Sequence, residues 1–295
     1  MIVDCHTSIW ESPDQLGLAE STIRRAMGDR AGLSADADAH AASAACVTRS
    51  LVMGLRSEFL GAHVPNDLIA GYVEANSDRL VGIAAVDPTA DDAVDEAARR
   101  LDQDAFRGLV IGPSDQNFHP ADSRAMKLFE LADQRGAVVV FRQGMRFHAK
   151  SHLEYARPIL LDEIAREFPK LTIVITSLGY PWVDEALALL DKHERLFADT
   201  ASLTRQPWLA YTALATAYQY RVMDKVLFAS GFPIITPAEA IETVYRLNEM
   251  TQGTNLPAVP REALRGVVER DSLAALGIAR AGEQATPDDA VEEDW

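Results

Sequence analysis

Several polar side chains directly follow short apolar runs of the chain. His6 and Ser8 come after IVDC, Arg142 and Gln143 after AVVVF, and Ser177 after LTIVIT. An imidazole serves as acid, base or hydrogen-bond partner near neutral pH, and a planar guanidinium suits a carboxylate. A serine is a nucleophile only beside a base and an oxyanion hole, so both serines are interpreted as small lining residues. The set predicts a ligand-binding site that includes Ser8, Gln143 and Ser177. Arg142 either binds an anion there or forms a structural salt bridge, and His6 is either an acid–base group or a structural residue.

The elements that would position these residues are strands and helices in alternation. Eight unalternating apolar runs are typical of parallel strands buried on both faces, and they lie at Ile2–Cys5, Ser50–Leu55, Leu80–Val86, Gly108–Gly112, Ala137–Phe141, Leu171–Thr176, Leu196–Asp199 and Val226–Ser230. Three- and four-residue apolar spacing predicts helices at Ala93–Leu101, Asp122–Gln134, Ile159–Phe168, Val183–His193 and Pro237–Glu249. This alternation predicts an α/β fold, a closed (β/α)8 TIM barrel, whose functional residues lie just past the carboxyl ends of the strands.

The length suits one such domain. The chain has 295 residues, 48% of them apolar, which fits a single barrel at 1–280. The stretch Glu11–Ala45 is longer than an ordinary loop and predicts a helical insertion after strand 1 that roofs the pocket. Residues 281–295 are polar, acidic and aperiodic, and we expect this tail to be disordered.

Charge and composition exclude several classes of partner. The formal net charge of −16 disfavours nucleic acid and anionic membrane surfaces. No run approaches the roughly 18 apolar residues of a membrane span, and the opening MIVDCHTSIW has no signal-peptide pattern. Cys5 and Cys46 have no CxxC or zinc-type spacing. We therefore expect a cytoplasmic protein.

The strings around these residues resemble a known family. VDCHTSIW resembles the DxHxHxW opening of the amidohydrolase superfamily, in the branch that also contains decarboxylases. The flanking strings that match are RSEFLGAHVPND, RLVGIAAVDP, YARPILLDEIAREFP, LGYPWVDEALALLDKH, VLFASGFPIITPAEAIE and PREALRGVVERDSLAALGI. The resemblance covers roughly Met1 to Arg280 and implies the TIM barrel of metal-dependent hydrolases.

The metal motif departs from this pattern. The family places two metal histidines after strand 1, one each after strands 5 and 6, and an aspartate after strand 8. Those positions here are His6, Ser8, Arg142, Ser177 and Gly231, so one ligand of five remains. A catalytic zinc needs about three protein ligands, and an arginine has no lone pair and repels a divalent ion. We expect no metal and no other cofactor.

The same replacements bear on function. Without the metal, no hydroxide forms near neutral pH, and Gly231 removes the family's general base. A divalent metal ion together with one aspartate carries a formal charge of about +1. A single arginine with no aspartate also carries about +1. The hypothesis is that Arg142 stands at the metal position and binds an acidic ligand. The alternative is a structural salt bridge, with Asp87 and Asp199 as candidate partners.

Further residues are assigned by their position relative to the pocket. The family places aromatic residues in the pocket wall, which implies this role for Trp10 and Tyr180. His119 and His148 follow strands 4 and 5 and are either loop residues or part of the pocket mouth.

Three functions remain open at this point. The first is a non-catalytic binder of a small anion, or the partner of an active paralogue. The second is a metal-independent hydrolase or decarboxylase-like enzyme that uses His6 and Arg142 on a carboxylated substrate. The third is a metal hydrolase with a displaced site built from His119 or His148. Family resemblance also implies a homo-oligomer.

Overall fold

The computed structural model describes residues 1–18, 21–22, 35–143 and 148–278. Eight strands form one sheet in chain order: β1 Val3–Ser8, β2 Arg49–Met53, β3 Leu80–Ala85, β4 Phe106–Ile111, β5 Val138–Phe141, β6 Ile173–Ile175, β7 Leu196–Asp199 and β8 Val226–Leu227. Each strand pairs in parallel with the next. The last strand region meets the first, because Cys5 N donates to Phe228 O at 2.9 Å and Ser8 N to Phe232 O at 3.0 Å. The predicted α/β TIM barrel is confirmed.

Helices surround the barrel. They are α1 Ala37–Ser43, α2 Asn66–Glu74, α3 Ala93–Leu101, α4 Pro113–Gln116, α5 Ser123–Gln134, α6 Asp162–Glu167, α7 Val183–Lys192, α8 Pro207–Gln219, α9 Pro237–Tyr245, α10 Arg261–Glu269 and α11 Ser272–Ala275. Local sequence explains several ends. For example, the Thr236 and Glu239 side chains form a capping box with Pro237 at the first turn of α9. No described helix is long and apolar enough to cross a membrane.

Two apolar layers hold the fold together. The larger layer lies between the strands and the helices. The smaller one fills the barrel with side chains such as Val3, Leu51, Ile83 and Val140, as expected for a barrel with a packed interior. Cys5 belongs to this interior and is buried, and burial raises the pKa of its thiol. The interior therefore serves stability, and chemistry is left to the strand ends.

The chain after α10 closes the base of the barrel. Leu273, Leu276 and Ile278 belong to the interior apolar cluster. The Arg270 guanidinium donates to the carbonyls of Met223 and Val226, both at 3.1 Å, at the amino end of β8. This segment, residues 270–278, is called the base plug below.

The insertion after β1 is described in part. It contains a 3-10 turn at Pro13–Leu16 and helix α1, which agrees with the expected helical character. Trp10 N donates to Ala35 O at 3.0 Å. This hydrogen bond joins the residues just before α1 to the residues just after β1. The remainder, residues 19–20 and 23–34, and the expected acidic tail at 281–295 lie outside the described residues.

Candidate functional site

A cavity of about 460 Å³ opens at the carboxyl ends of the strands. Its lining includes His6, Ser8, Arg142, Ser177 and Gly231, the positions that correspond to the metal ligands of the resembled family. They come from the ends of β1, β5, β6 and β8, because parallel strands bring their carboxyl ends to one face of a barrel. The structure thus brings these five residues to one cavity.

The outer wall of the cavity is mainly apolar. Loop residues supply it: Leu16, Leu18, Leu55, Leu60, Leu203 and Ile234. Trp10 and Tyr180 also line the cavity, as does His148. An apolar wall around a few polar groups is the usual composition of a small-molecule site. Its residues Leu16 and Leu18 come from the insertion after β1, so the insertion contributes to the roof.

His6 is held by a carboxylate at the end of β7, which is separated from β1 by β8 alone in the closed barrel. Its Nδ1 lies 3.1 Å from Asp199 Oδ2, and the Asp199 side chain is fully buried. The other carboxylate oxygen accepts from Ser177 N at 2.7 Å and from Ala201 N at 2.9 Å. Asp199 is therefore the partner of His6, which corrects its candidate role as partner of Arg142.

Ser177 is fixed in an unusual backbone conformation. Ser177 and Leu178 have φ values of 55° and 47°, and Gly179 follows at 64°. Side-chain-bearing residues in this region cost roughly 1–2 kcal/mol each, and such strain is concentrated at functional sites. The Ser177 hydroxyl donates to Ala201 O at 2.8 Å. Ser177 lines the cavity, but its hydroxyl proton is already engaged by the chain.

The position of the family aspartate has no room for a side chain. Gly231 has φ +77°, and a Cβ there would lie 2.4 Å from Ser202 Oγ and 2.7 Å from Ser202 N. Gly231 N donates to His6 O at 3.0 Å, which ties this segment to β1. The backbone packing around position 231 therefore accommodates glycine but not a residue with a Cβ.

Arg142 follows β5 and is half-buried in the cavity lining. Its backbone N donates to Ile111 O at 2.8 Å. Asp87, the other candidate partner from sequence, accepts instead from Glu58 N at 2.8 Å and from the Thr89 hydroxyl at 2.7 Å. Asp87 thus joins the segment between β2 and α2 to the loop after β3.

Gln143 differs from its neighbour in position. It is fully buried, and its amide, oriented to donate, reaches Tyr155 O at 2.9 Å and Ala156 O at 3.1 Å. Its backbone carbonyl accepts from the Thr176 hydroxyl at 3.2 Å. These contacts join the chain after β5 to residues 155–156 and to Thr176, and Gln143 is not among the residues that line the cavity.

The residues at the family's metal positions do not fit a divalent ion. They supply one imidazole, two hydroxyls, a guanidinium and a glycine, against about three His, Asp, Glu or Cys ligands for zinc. Within the described ranges, no group of three His, Cys, Asp or Glu is arranged to hold a metal. The His148 and His119 rings accept from the backbone of their own loops, at Lys150 N and Ala121 N. No displaced site is formed around them by the described residues.

A second buried acid lies beneath His6. Asp4 accepts from Ser230 N at 2.9 Å and from the Ser230 hydroxyl at 2.6 Å, and His6 N lies 3.3 Å from the same carboxylate. Burial raises the pKa of Asp4 to about 6, despite these hydrogen bonds. Asp4 thus joins the end of β8 to β1, and sequence reasoning did not identify it.

His40 joins helix α1 of the insertion to strand β1. It is buried in α1, and its Nε2 lies 3.0 Å from the Thr7 hydroxyl, which donates to Leu51 O at 2.8 Å. Nε2 therefore donates, and Nδ1 accepts from the Tyr72 hydroxyl at 2.9 Å. The ring also packs edge-on against Phe232 of the cavity lining. No residue pattern around His40 in the sequence indicates these contacts.

Comparison with known proteins gives one family and a shared fold. Solved structures similar to the chain include an uncharacterised TIM-barrel protein from Bordetella bronchiseptica, at 19% identity and TM-score 0.70, over 94% of this chain and 99% of that one. A probable 2-pyrone-4,6-dicarboxylic acid hydrolase from Acinetobacter baumannii has 15% identity and TM-score 0.63, over 94% and 99%. A 2,6-dihydroxybenzoate decarboxylase from Rhizobium has 14% identity and TM-score 0.63, over 93% and 98%.

No curated protein matches the chain. The amidohydrolase family model matches residues 3–270, which include every strand and all residues that line the cavity. The protein therefore belongs to the amidohydrolase family.

Proposed function

We propose that the protein binds a small carboxylate in the strand-end cavity, without the divalent ion of its family. The single observation that carries this proposal is the presence of Arg142 in the lining, next to His6 as the one metal-type ligand of the five family positions. A permanent cation repels a divalent ion at the same place. It attracts a carboxylate, and its planar fork binds both carboxylate oxygens.

Charge and shape of the cavity support a ligand of this kind. Arg205 lines the same cavity as Arg142, and among the described lining residues these two guanidiniums stand against one carboxylate, Asp115. The leucines of the wall favour an apolar body on the ligand. A volume of about 460 Å³ lies within the usual range for small-molecule sites. A compact organic acid with an apolar part can contact both the guanidiniums and the leucines of the lining.

The related structures agree with a carboxylate ligand. The Acinetobacter protein is named for a dicarboxylic acid and was solved with citric acid bound. The Rhizobium protein is named for the decarboxylation of 2,6-dihydroxybenzoate. Both names refer to acids, and the shared fold places their strand ends where this chain has its cavity.

Binding without catalysis is the simplest form of this function. A second candidate is a metal-independent hydrolase or decarboxylase-like enzyme acting on the bound carboxylate. The pairing of His6 with Asp199 at 3.1 Å favours it, since a carboxylate that orients an imidazole is a recurring arrangement in catalysis without metal. Release of product from a carboxylated substrate in the presence of a chelator, abolished in His6→Gln, distinguishes the enzyme from the binder.

The binding proposal is tested by calorimetric titration with citrate and with phenylacetate after dialysis against a chelator. Arg142→Ala should weaken binding by roughly tenfold to a hundredfold, the range for a charge-assisted hydrogen bond. Arg142→Lys should recover part of the affinity, because it keeps the charge and loses the fork. Arg124→Ala, which removes an arginine paired with Asp122 on α5, is the matched control.

Two results would overturn the proposal. One is unchanged affinity in Arg142→Ala, which would remove the anchor. The other is a stoichiometric metal in wild-type protein produced with zinc and manganese in the medium, measured by elemental analysis.

A further inference from the structure

Asp199 is the point at which three strand ends meet. It accepts hydrogen bonds from His6 of β1, from Ser177 after β6 and from Ala201 beyond its own strand, at 3.1, 2.7 and 2.9 Å. The first two of these residues stand at family metal positions. A buried carboxylate therefore makes, from below the cavity, the connections between strand ends that a bound cation makes in a metal-dependent relative.

The hydrogen-bond pattern determines which nitrogen of His6 carries the hydrogen. Asp199 Oδ1 already accepts two backbone N–H groups, and Oδ2 offers its lone pair to the ring. A carboxylate in this position is an acceptor only, so Nδ1 of the neutral imidazole donates to it. Nε2 then carries a lone pair, and the described residues give it no hydrogen-bond partner.

We propose that Asp199 is a positioning residue that fixes His6 in the Nδ1–H tautomer, so that Nε2 presents a hydrogen-bond acceptor to the cavity. His6 lines the cavity with a side chain that is 10% exposed, and that small surface is what a ligand meets. The tautomer is set inside the protein and does not depend on any ligand.

This arrangement adds a second recognition group to the proposed carboxylate site, and what it implies about the ligand rests on that proposed function. Arg142 supplies donors for a carboxylate, whereas His6 supplies an acceptor in the same cavity. The two together favour an acid that also carries a hydroxyl group within reach of His6. The hydroxyl group then contributes to specificity, because the same acid without the hydroxyl leaves Nε2 without a hydrogen-bond partner.

The tautomer is tested by ¹⁵N NMR of the histidine rings of the full chain. The His6 signals are identified by their loss in His6→Gln, and two-bond couplings to ring protons report which nitrogen is protonated. Asp199→Asn keeps the shape of the side chain and can still accept the backbone N–H groups at Oδ1, but it turns an NH₂ group toward Nδ1. We expect His6 to switch to the Nε2–H tautomer, as such an exchange does beside other histidines.

A matched control separates this effect from the loss of a buried charge. Asp87 is equally buried at the end of a strand and accepts backbone N–H groups, from Glu58 and Thr89. Asp87→Asn should leave the His6 tautomer unchanged. An unchanged tautomer in Asp199→Asn, or an Nε2–H tautomer in the wild type, would overturn the proposal.

The ligand consequence is tested with two acids that differ by one hydroxyl, mandelate and phenylacetate. Wild type and Asp87→Asn should bind one enantiomer of mandelate about two- to tenfold more tightly than phenylacetate, and Asp199→Asn should lose this preference while retaining phenylacetate. An equal preference in wild type and Asp199→Asn contradicts the specificity role. If wild type binds neither acid, the carboxylate proposal fails, and the NMR result still decides the role of Asp199.

Discussion

Gly231 and Ser202 approach so closely that their contact determines what position 231 can hold. A Cβ on Gly231 would lie 2.4 Å from the Ser202 hydroxyl and 2.7 Å from its backbone N. Ser202 is itself in the left-handed region, at φ 61°, and its N donates to Ser230 O at 2.9 Å. The backbone after β7 therefore occupies the space that an aspartate after β8 would need. A residue larger than glycine at position 231 therefore requires the main chain at Ser202 to move.

The first prediction concerns this contact. Gly231→Ala should lower the free energy of unfolding by at least 2 kcal/mol more than Gly136→Ala, roughly the cost of overpacking. Gly136 has a similar φ of +60° but no atom within 4 Å of a Cβ, so its variant reports the backbone term alone, about 1 kcal/mol. Urea unfolding measures both. Equal losses would mean that Ser202 moves aside without cost.

The second prediction concerns the metal. Ser8→His together with Arg142→His removes the cation and places three imidazoles around one cavity with His6, which is about the number that zinc needs. We expect this double variant to retain stoichiometric zinc after dialysis, by elemental analysis, and the wild type to retain none. Arg142→Ala is the control, because it removes the charge without adding a ligand. Zinc retained by that control would show that the native ligands already suffice.

The third prediction is an acid sensitivity that arises at His40. Burial lowers the pKa of His40 from 6.5 to about 4, so the unfolded chain takes up a proton at a pH where the folded chain does not. Its contribution to stability is complete above pH 6.5 and is lost as the pH falls through about 4. Relative to His40→Gln, the wild type should lose about 3 kcal/mol over this range, at about 1.4 kcal/mol per pH unit.

The measurement is the free energy of unfolding at several pH values between 4 and 7 for both proteins. His63→Gln, at an exposed histidine, is the control for general effects of histidine removal. A difference between wild type and His40→Gln that is independent of pH would show that His40 titrates alike in the folded and unfolded chain.

The fourth prediction has the opposite sign and arises at Asp4. Burial raises its pKa from 3.8 to about 6, so the folded chain holds the proton more tightly. This contribution is complete below pH 3.8 and is lost as the pH rises through about 6. Asp4→Asn, which cannot ionise, should therefore gain about 3 kcal/mol relative to wild type between pH 4 and 7. Thermal or urea unfolding at both ends of the range gives the comparison, and a constant difference would contradict it.

The strands could be predicted from sequence, and some of the helices could not. Each β-strand is buried on both faces, so its residues form an unbroken apolar run that needs no partner to be recognised. Helix α8, PWLAYTALATAYQ, is buried around most of its circumference. It therefore lacks the polar stripe by which helices such as α3 were recognised. Helices α2 and α10 were not predicted either.

The site was predictable as far as strand ends determine it. His6, Ser8, Arg142 and Ser177 could be placed because β-strand ends converge in any barrel. The pairing of His6 with Asp199 spans 193 residues, and the sequence indicated Asp199 only as a candidate partner of Arg142. Local geometry, such as the buried amide of Gln143, depends on packing that no residue pattern records.

The base plug has a consequence for the biosynthesis of the protein. A ribosome makes β1 first and residues 270–278 last among the described residues, yet Leu273, Leu276 and Ile278 pack in the same interior as Val3 of β1. Until that segment leaves the exit tunnel, the barrel interior is open to water at its base. A premature stop or a proteolytic cut just before Arg270 would yield a chain with all eight strands and an unsealed apolar interior. Such a chain should engage chaperones or aggregate, although every residue of the cavity is present.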